Sequence, residues 1–409
     1  MTRQREVWKQ NLYVLWIGEF FITAGANLVI PFLPLYIHTM GIQSTASIER
    51  WSGIVFSSTF VVAVVIQPWW GKLADKVGRK VMLVRSGVGM AIVMASLGLA
   101  HNVYELVVLR GLMGLVSGFI GAAIALQASQ TPRENAGQAL GVLQTGAVAG
   151  SLVGPLIGGV LSEAVGMRRV FYLTGAMQFV AAVLVIFFVH ETFTPDPRTS
   201  TMDTRHFMAA MGRTRIVLPL FVVTMIIQMG YLSIEPIVTI YVHQLNPHTH
   251  HLAVLAGATF AAIGLGNVVS APLLGRLSDR VGSAKILLWS MLVAALLYVP
   301  QAFVHSAYQL MVLRFVLGLS LGGLQPSVQA LIRRYAPTAQ LGRVFGYNTS
   351  FMMAGNLVGP NLGGLVSSAV GIPPVFFITA GLLLADAVWV HRAVVRAVLT
   401  TPSPLADGR

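Results

Sequence analysis

The chain has 409 residues, of which 55% are hydrophobic and only 10% are charged, and its mean hydropathy is +0.74. A water-soluble domain of this length is far more polar, so the composition excludes one and predicts a polytopic membrane protein. The chain has no cysteine, which excludes disulfides, thiolate metal sites and cysteine nucleophiles.

Twelve apolar runs, each near the roughly 20 residues needed to cross a bilayer, follow one another along the chain. The first six lie at roughly 12–37, 51–70, 81–100, 103–126, 137–161 and 170–189. The second six lie at roughly 216–241, 252–274, 286–304, 307–332, 343–366 and 374–398. The first run is long enough to span, so we expect it to remain as a helix.

The polar stretch between the two sets predicts the domain organisation. It contains Pro195 and Pro197 among charged residues, which suits a loop outside the membrane. We therefore predict an N-terminal six-helix half at 1–190, a cytoplasmic linker at 191–215 and a C-terminal six-helix half at 216–409.

The basic residues predict the topology. If the N-terminus is inside, 22 of the 27 Lys and Arg lie in the termini and loops of that side, whereas Arg50, Arg168 and Arg169 lie on the other. By the positive-inside rule both termini are cytoplasmic. The net charge of +13 therefore reflects topology and contact with membrane lipid, and we expect no nucleic-acid partner.

The two predicted halves repeat one another. Gly71–Lys80 recurs as Gly275–Lys285 about 204 residues later, Arg110 recurs as Arg314, and a Gly-Pro pair in the fifth run recurs in the eleventh. A duplicated half embedded in the membrane is typical of alternating-access transporters.

The loop after the second run resembles the loop motif of the major facilitator superfamily at Gly71, Asp75, Gly78 and Arg79. The resemblance implies an all-α fold of twelve transmembrane helices in two pseudo-symmetric bundles. It also implies that Asp75 caps a helix of the opposite half and latches one conformation, as a carboxylate at a helix N-terminus can do. The alternative is a positive-inside loop with one stray acid.

The fifth run carries small residues at spacings of four, which let another helix approach closely. They are Gly146, Gly150, Gly154, Pro155, Gly158 and Gly159. This pattern resembles the antiporter motif of the twelve-helix drug:proton antiporter family, and the chain looks closest to multidrug efflux proteins of the MdtG type. Generic helix packing is the alternative.

Three ionisable residues within the runs are candidates for proton coupling. Glu235 precedes Pro236, which we expect to bend the seventh helix; the alternative is a carboxylate permanently paired with Arg314 or hydrogen-bonded to its neighbours. Glu19 is either a proton or cation site or a partner of Arg110. Family resemblance implies a role for Arg110 in proton coupling; the alternative is that Arg110 snorkels to the nearby helix end. Buried carboxyl groups can carry protons near neutral pH.

The remaining candidates concern substrate and metal. A cavity between the halves predicts a substrate-binding set of Phe20, Asn27, Gln127, Gln228, Met229, Tyr231, Gln325, Tyr347, Phe351 and Met352, for which helix packing is the alternative. We expect Asp386 to form a structural pair. We also expect the cluster His243, His248, His250 and His251 to be a solvated loop with no metal, because that loop contains no acid.

Together these patterns predict a proton-coupled antiporter that exports small lipophilic or cationic compounds by alternating access. The alternative is the same fold exporting a narrow physiological substrate such as a sugar, a polyamine or a lipid precursor, or a non-transporting membrane sensor. We expect no enzyme activity, because no nucleophile and base or metal ligands recur in a catalytic pattern. We expect no cofactor beyond the coupling proton, and a monomer.

Overall fold

The computed structural model describes residues 2–132, 135–191, 216–249, 251–336 and 341–395. Side chains of residues 2–6, Lys72, Asp75 and residues 341–343 lie outside this description. The regular structure in the described ranges is helical, which confirms the predicted fold class.

The helices of the first part of the chain follow the predicted runs closely. They are α1 Thr2–Leu28, α2 Leu33–Thr39, α3 Thr45–Val77, α4 Arg79–Leu97, α5 Val103–Val116, α6 Phe119–Gln130, α7 Ala136–Val165 and α8 Met167–Phe188.

The helices of the second part repeat this order. They are α9 Val217–Ile234, α10 Val238–Leu245, α11 Leu252–Val281, α12 Ser283–Gln301, α13 Ala307–Leu321, α14 Leu324–Tyr335, α15 Leu341–Val370 and α16 Pro373–Val390, followed by a π turn at His391–Val395.

Within the described residues, 11 helical segments are long and apolar enough to cross a membrane. Several combine two helices, such as Val7–Thr39, which contains α1 and α2. The 30-residue helix α15 occupies the position of the eleventh predicted run. Together these segments match the twelve predicted runs in order.

Proline interrupts the first and seventh spans at equivalent places. One 3-10 turn at Ile30–Phe32 contains Pro31, and another at Glu235–Ile237 contains Pro236. Proline has no N–H to donate and clashes with the preceding turn, so regular α-helix stops there. The interruption predicted at Pro236 is confirmed.

The chain divides into two compact units. Unit 1 contains Met1–Ser44, Ile54–Arg198 and His248–Ala261, and unit 2 contains Thr45–Gly53, Thr199–Pro247 and Ala262–Arg409. The first turns of α3 thus belong to unit 2, and the first turns of α11, about 204 positions later, belong to unit 1. The predicted halves at 1–190 and 216–409 remain a prediction, and residues 192–215 of the proposed linker lie outside the described residues.

The repeat is visible in the packing of each unit. In unit 1 the rings of Tyr36 and Phe171 are 4.9 Å apart at an angle of 47°. In unit 2 the rings of Tyr241 and Phe376 are 5.4 Å apart at 49°. Each residue of the second pair lies 205 positions after its counterpart, so this offset relates α1, α2 and α8 to α9, α10 and α16.

Candidate functional site

A polar cluster in unit 2 surrounds the interruption of the seventh span. Glu235 is buried there, and its carboxyl group is hydrogen-bonded by the Tyr231 hydroxyl. Arg314 from α13 acts electrostatically on Glu235, and Tyr298 from α12 belongs to the same group. Sequence reasoning selected three of these residues but missed Tyr298, because nothing in the sequence distinguishes it from an ordinary core tyrosine.

The acid of the first span has different surroundings. Glu19 is fully buried in α1 within unit 1, and neither carboxylate oxygen has a hydrogen-bond partner among the described residues. Arg110 of α5 is buried too, and its Nε and Nη2 atoms have no partner there. The alternative in which Glu19 pairs with Arg110 is therefore not the arrangement found.

Asp386 of α16 also lacks the pair expected for it. Its side chain is 1% exposed, and both carboxylate oxygens are without a hydrogen-bond partner in the described part of the chain. The expected structural pairing is therefore not found among the described residues, because none of the donors on the neighbouring helices reaches this carboxyl group.

The loop motif between α3 and α4 is bound by Glu191, a residue to which the sequence assigned no role. Gly78 has a φ of +94°, which ends α3 and starts α4. The Glu191 carboxylate accepts hydrogen bonds from the backbone N–H groups of Arg79 at 3.0 Å and Lys80 at 2.7 Å. Glu191 therefore caps the N-terminus of α4. The Asp75 side chain, proposed as the latch, lies outside the described residues.

Two further motif residues differ in their surroundings. The Arg79 guanidinium donates to the Ala125 carbonyl at 2.9 Å, which joins the loop to α6. Gly71 faces open space, since an added Cβ would meet nothing within 4 Å. Gly78 thus has a conformational requirement that Gly71 does not show.

The glycines of α7 line its contact with α1. Built Cβ atoms would lie 2.7 Å from the Trp16 carbonyl at Gly146, 2.7 Å from the Phe20 carbonyl at Gly150 and 2.6 Å from the Ala24 carbonyl at Gly154. Gly158 faces the Leu28 carbonyl in the same way. These clashes show that the ladder brings the two backbones together, as small residues do in membrane helices.

The last turns of the ladder contact α11 in unit 1. A Cβ at Gly159 would lie 2.5 Å from the Ala253 carbonyl, and the Pro155 carbonyl faces Gly257. In unit 2, Gly364 of α15 faces the Glu49 carbonyl of α3 at 2.6 Å in the same manner. The pattern that sequence reasoning identified in α7 thus also packs the exchanged helix ends.

The outer histidines include one contact that the sequence did not suggest. The Glu163 carboxylate of α7 contacts the His251 ring nitrogen Nδ1 at 2.9 Å and accepts from the Val254 backbone N–H at 3.1 Å. The loop itself contains no acid and the His251 side chain is exposed, as expected, but an acid from a distant helix reaches His251. Among the described residues no group of three metal-ligating side chains forms, and His250 lies outside them.

Known proteins resemble this chain along nearly its whole length. The profile of the Major Facilitator Superfamily matches residues 15–265 and 220–407. Multidrug resistance protein MdtG of Salmonella dublin is 44% identical over 382 residues, covering 93% of this chain and 95% of the relative. MdtG of Salmonella arizonae is 43% identical over 394 residues, covering 96% and 98%. The chain belongs to the Major Facilitator Superfamily.

Solved structures support the fold of this superfamily member. A bacterial homologue of the human lysosomal transporter Spinster has a TM-score of 0.78 at 14% identity and covers 98% of this chain and 99% of its own. The human organic anion transporter MFSD10 has a TM-score of 0.70 at 15% identity, covering 94% and 99%. The chain is therefore an integral multi-pass membrane protein and a secondary transporter, not an enzyme.

The predicted substrate-binding residues of this superfamily member divide between the units. In unit 1, Phe20 stacks on Trp16 with ring centroids 6.0 Å apart, and Asn27 donates to the Thr23 carbonyl at 2.8 Å. Gln127 is fully buried and donates to the Trp8 carbonyl at 3.1 Å. Their roles in binding substrate remain predictions.

The unit 2 candidates lie mainly along α9 and α15. Gln228 donates to Asn356 at 3.2 Å, Phe351 lies 5.5 Å from the Phe221 ring, and the Met229 carbonyl faces Gly359. The Tyr231 hydroxyl donates a hydrogen bond to Glu235. The other three, Gln325, Tyr347 and Met352, are half-buried.

The fourth span of the transporter contains a break that sequence reasoning missed. Helix α5 ends at Val116 and α6 begins after Gly118, whose φ is +123°. The Arg85 guanidinium donates to the freed Ser117 carbonyl at 3.0 Å, and the Trp70 indole N–H donates to the Leu115 carbonyl at 2.7 Å. Arg85 also lies 3.8 Å from the centroid of the Trp70 ring.

Proposed function

We propose that this chain is a proton-coupled antiporter that exports small lipophilic or cationic compounds by alternating access. The curated relatives that it resembles are named multidrug resistance proteins, which supports the substrate class. The buried cluster of Glu235, Tyr231 and Arg314 carries the proposal of proton coupling.

The chemistry of this cluster suits a group that exchanges a proton. As a carboxylate, Glu235 accepts from the Tyr231 hydroxyl and balances the charge of Arg314. Once protonated, it is neutral and no longer balances that charge. An uncompensated charge in a span costs several kcal/mol, so proton uptake changes which arrangement of the helices is favoured.

Further parts of the proposal concern the whole molecule. We place both termini in the cytoplasm, with the protein acting as a monomer among membrane lipids and without a nucleic-acid partner or a cofactor other than the proton. The loop motif around Asp75 serves as the conformational latch, and the α7 ladder holds α1 in place.

The proposal is tested by efflux from proteoliposomes across a panel of dyes and antibiotics, with and without a pH gradient. We expect several lipophilic cations to be exported only when the gradient is present. Glu235→Gln keeps a hydrogen-bonding side chain but cannot take up a proton, so we expect gradient-driven export to fall by about 100-fold or more.

Glu105→Gln is the matched control, because Glu105 is a half-buried acid in the first turn of α5, where its carboxylate accepts from the His101 backbone N–H at 2.8 Å. It should export like the wild-type protein. Wild-type export by Glu235→Gln would disprove the coupling role of Glu235. Export of a single compound class would favour a narrow physiological substrate.

A further inference from the structure

Two acids in the spans share an unusual state. Glu19 in unit 1 is 0% exposed and Asp386 in unit 2 is 1% exposed, and none of their four carboxylate oxygens has a hydrogen-bond partner in the described residues. More than about 90% of buried polar groups in proteins are hydrogen-bonded, so each exception calls for a specific explanation.

The packing of α1 against α8 shows which residue of α8 lies beside Glu19, at the same height along the helix axes. Near one end of this helix pair, the Gln10 amide donates to the Phe188 carbonyl at 3.2 Å. Near the other end, a Cβ built at Gly25 would lie 3.4 Å from Nε2 of Gln178. The helices run antiparallel, so Glu19 lies at the level of the α8 residue about three positions after Gln178.

That residue is Ala181, and the repeat offset of 205 relates it to Asp386. The same offset relates Glu19 to Thr224 of α9. In unit 1 the acid Glu19 is on α1 and the small residue Ala181 is on α8. In unit 2 the helices are reversed: the acid Asp386 is on α16, and Thr224 is on α9.

The packing of unit 2 agrees with this correspondence. The Ser233 hydroxyl lies 2.8 Å from that of Thr379, and Gly230 packs against Leu383 of α16. Asp386 lies one turn beyond Leu383 on the same side of α16, at the level of Thr224. The two acids thus occupy the same level of equivalent helix pairs.

Other ionisable groups on the neighbouring helices do not bond to these acids. On the helices packed against α1 they are Glu163 of α7 and Arg168, Arg169 and Tyr172 of α8. Around α16 they are Tyr231 of α9, Lys285 and Tyr298 of α12, Tyr347 of α15, and His391 and Arg392 of the π turn. No hydrogen bond joins any of them to Glu19 or Asp386.

We propose that Glu19 and Asp386 are equivalent proton-binding sites, one in each unit, each holding its proton as a neutral carboxylic acid in this conformation. The reaction is the addition of H⁺ to one carboxylate oxygen. A bound metal cation fits less well, since hard cations require several oxygen ligands and the described residues form no group of three metal-ligating side chains at either acid. The proposal rests on the proposed proton coupling.

Infrared spectroscopy of the protein in membranes tests proton binding without any transport assay. A protonated carboxyl group has a C=O stretch separate from the carboxylate bands. We expect Glu19→Gln and Asp386→Asn each to remove one component of this signal, and Glu105→Gln to remove none. A signal unchanged by Asp386→Asn would overturn the second site, whether or not export depends on a pH gradient.

An exchange of acids between helices tests the equivalence. Asp386→Ala alone should lower gradient-driven export by about tenfold or more. Adding Thr224→Glu recreates in unit 2 the arrangement of Glu19 and Ala181, so the infrared component and export should return. The thermal midpoint of each purified variant shows whether it has folded.

Three outcomes separate the inference from the proposed function. Full export by a folded Asp386→Ala variant would overturn a coupling role for Asp386. Failure of the folded double variant to recover the infrared component would overturn the equivalence. Infrared components that behave as expected in a protein without gradient-driven export would disprove the proposed antiport and leave the proton sites intact.

Discussion

The two units share a helical plan but differ in how they treat buried polar groups. In unit 2 the Ser233 and Thr379 hydroxyls lie 2.8 Å apart, and the Thr224 hydroxyl donates to Asn348 at 2.8 Å. In unit 1 the counterpart of Thr379 is Thr174, whose buried hydroxyl has no partner among the described residues.

The difference extends along the same helix pair. Gln178 of α8 is fully buried and neither atom of its amide has a hydrogen-bond partner in the described part of the chain, whereas its counterpart in unit 2 is the apolar Leu383. An unsatisfied buried group costs about 1–3 kcal/mol. Along this helix pair, unit 2 therefore pairs the hydroxyls of Ser233 and Thr379, whereas unit 1 leaves Thr174 and Gln178 without hydrogen-bond partners among the described residues.

The largest effect is expected where the two units agree. Gly154→Val would place a side chain against the Ala24 carbonyl, which lies 2.6 Å from a built Cβ, so α7 must move away from α1. We expect loss of most transport activity and a fall in the free energy of unfolding of about 2 kcal/mol or more. Gly359→Val should do the same in unit 2, where the Met229 carbonyl is 2.6 Å away.

Gly141→Val provides the matched control on the same helix. A Cβ at Gly141 meets nothing within 4 Å, so this variant should fold and export normally. If Gly154→Val behaves like Gly141→Val, the ladder does not set the approach of the helices.

The ladder was predictable from sequence because its information is local. Residues four apart lie on one face of a helix, and a row of glycines has few uses there other than close packing. The interruption at Pro236 was predictable for the same reason. The break in the fourth span was not, because one apolar run covers both helices and the donors that stabilise the break come from α3 and α4.

A smaller effect is expected at this break, where the units differ. Arg85→Met removes the donor to the Ser117 carbonyl and the cation beside Trp70, and a carbonyl left unbonded in a span costs about 1–3 kcal/mol. Thermal unfolding of the purified protein measures this loss. The counterpart of Arg85 in unit 2 is Trp289, which is 64% exposed.

The tenth span also divides, between α13 and α14, but Gly322 and Gly323 there have φ of −60° and −87°. Trp289→Met therefore tests the same position of the repeat without the positive-φ break found at Gly118. Its thermal midpoint should change little. Equal losses for Arg85→Met and Trp289→Met would show that Arg85 does not support the break specifically.

The proposed proton sites were only half predictable from sequence. Aligning the repeat gives Glu19 no acidic counterpart, because the aligned residue is Thr224. The equivalent acid comes from the facing helix as Asp386, and only the packing of α9 against α16 reveals this. The contact of Glu163 with His251 was hidden for the same reason, since 88 positions separate the two residues in the sequence.

The smallest effect is expected at Gln178. Whether Gln178→Leu raises or lowers stability tests whether this buried amide lacks a hydrogen-bond partner. Gln178→Leu gives unit 1 the residue that unit 2 already has at Leu383. If the amide has no partner, its loss removes a desolvation penalty, and thermal stability should be unchanged or rise by about 1 kcal/mol. Leu383→Gln should lower stability by a similar amount. A clear loss of stability in Gln178→Leu would mean that the amide is bonded in the membrane, and Gln178 would then no longer distinguish unit 1 from unit 2.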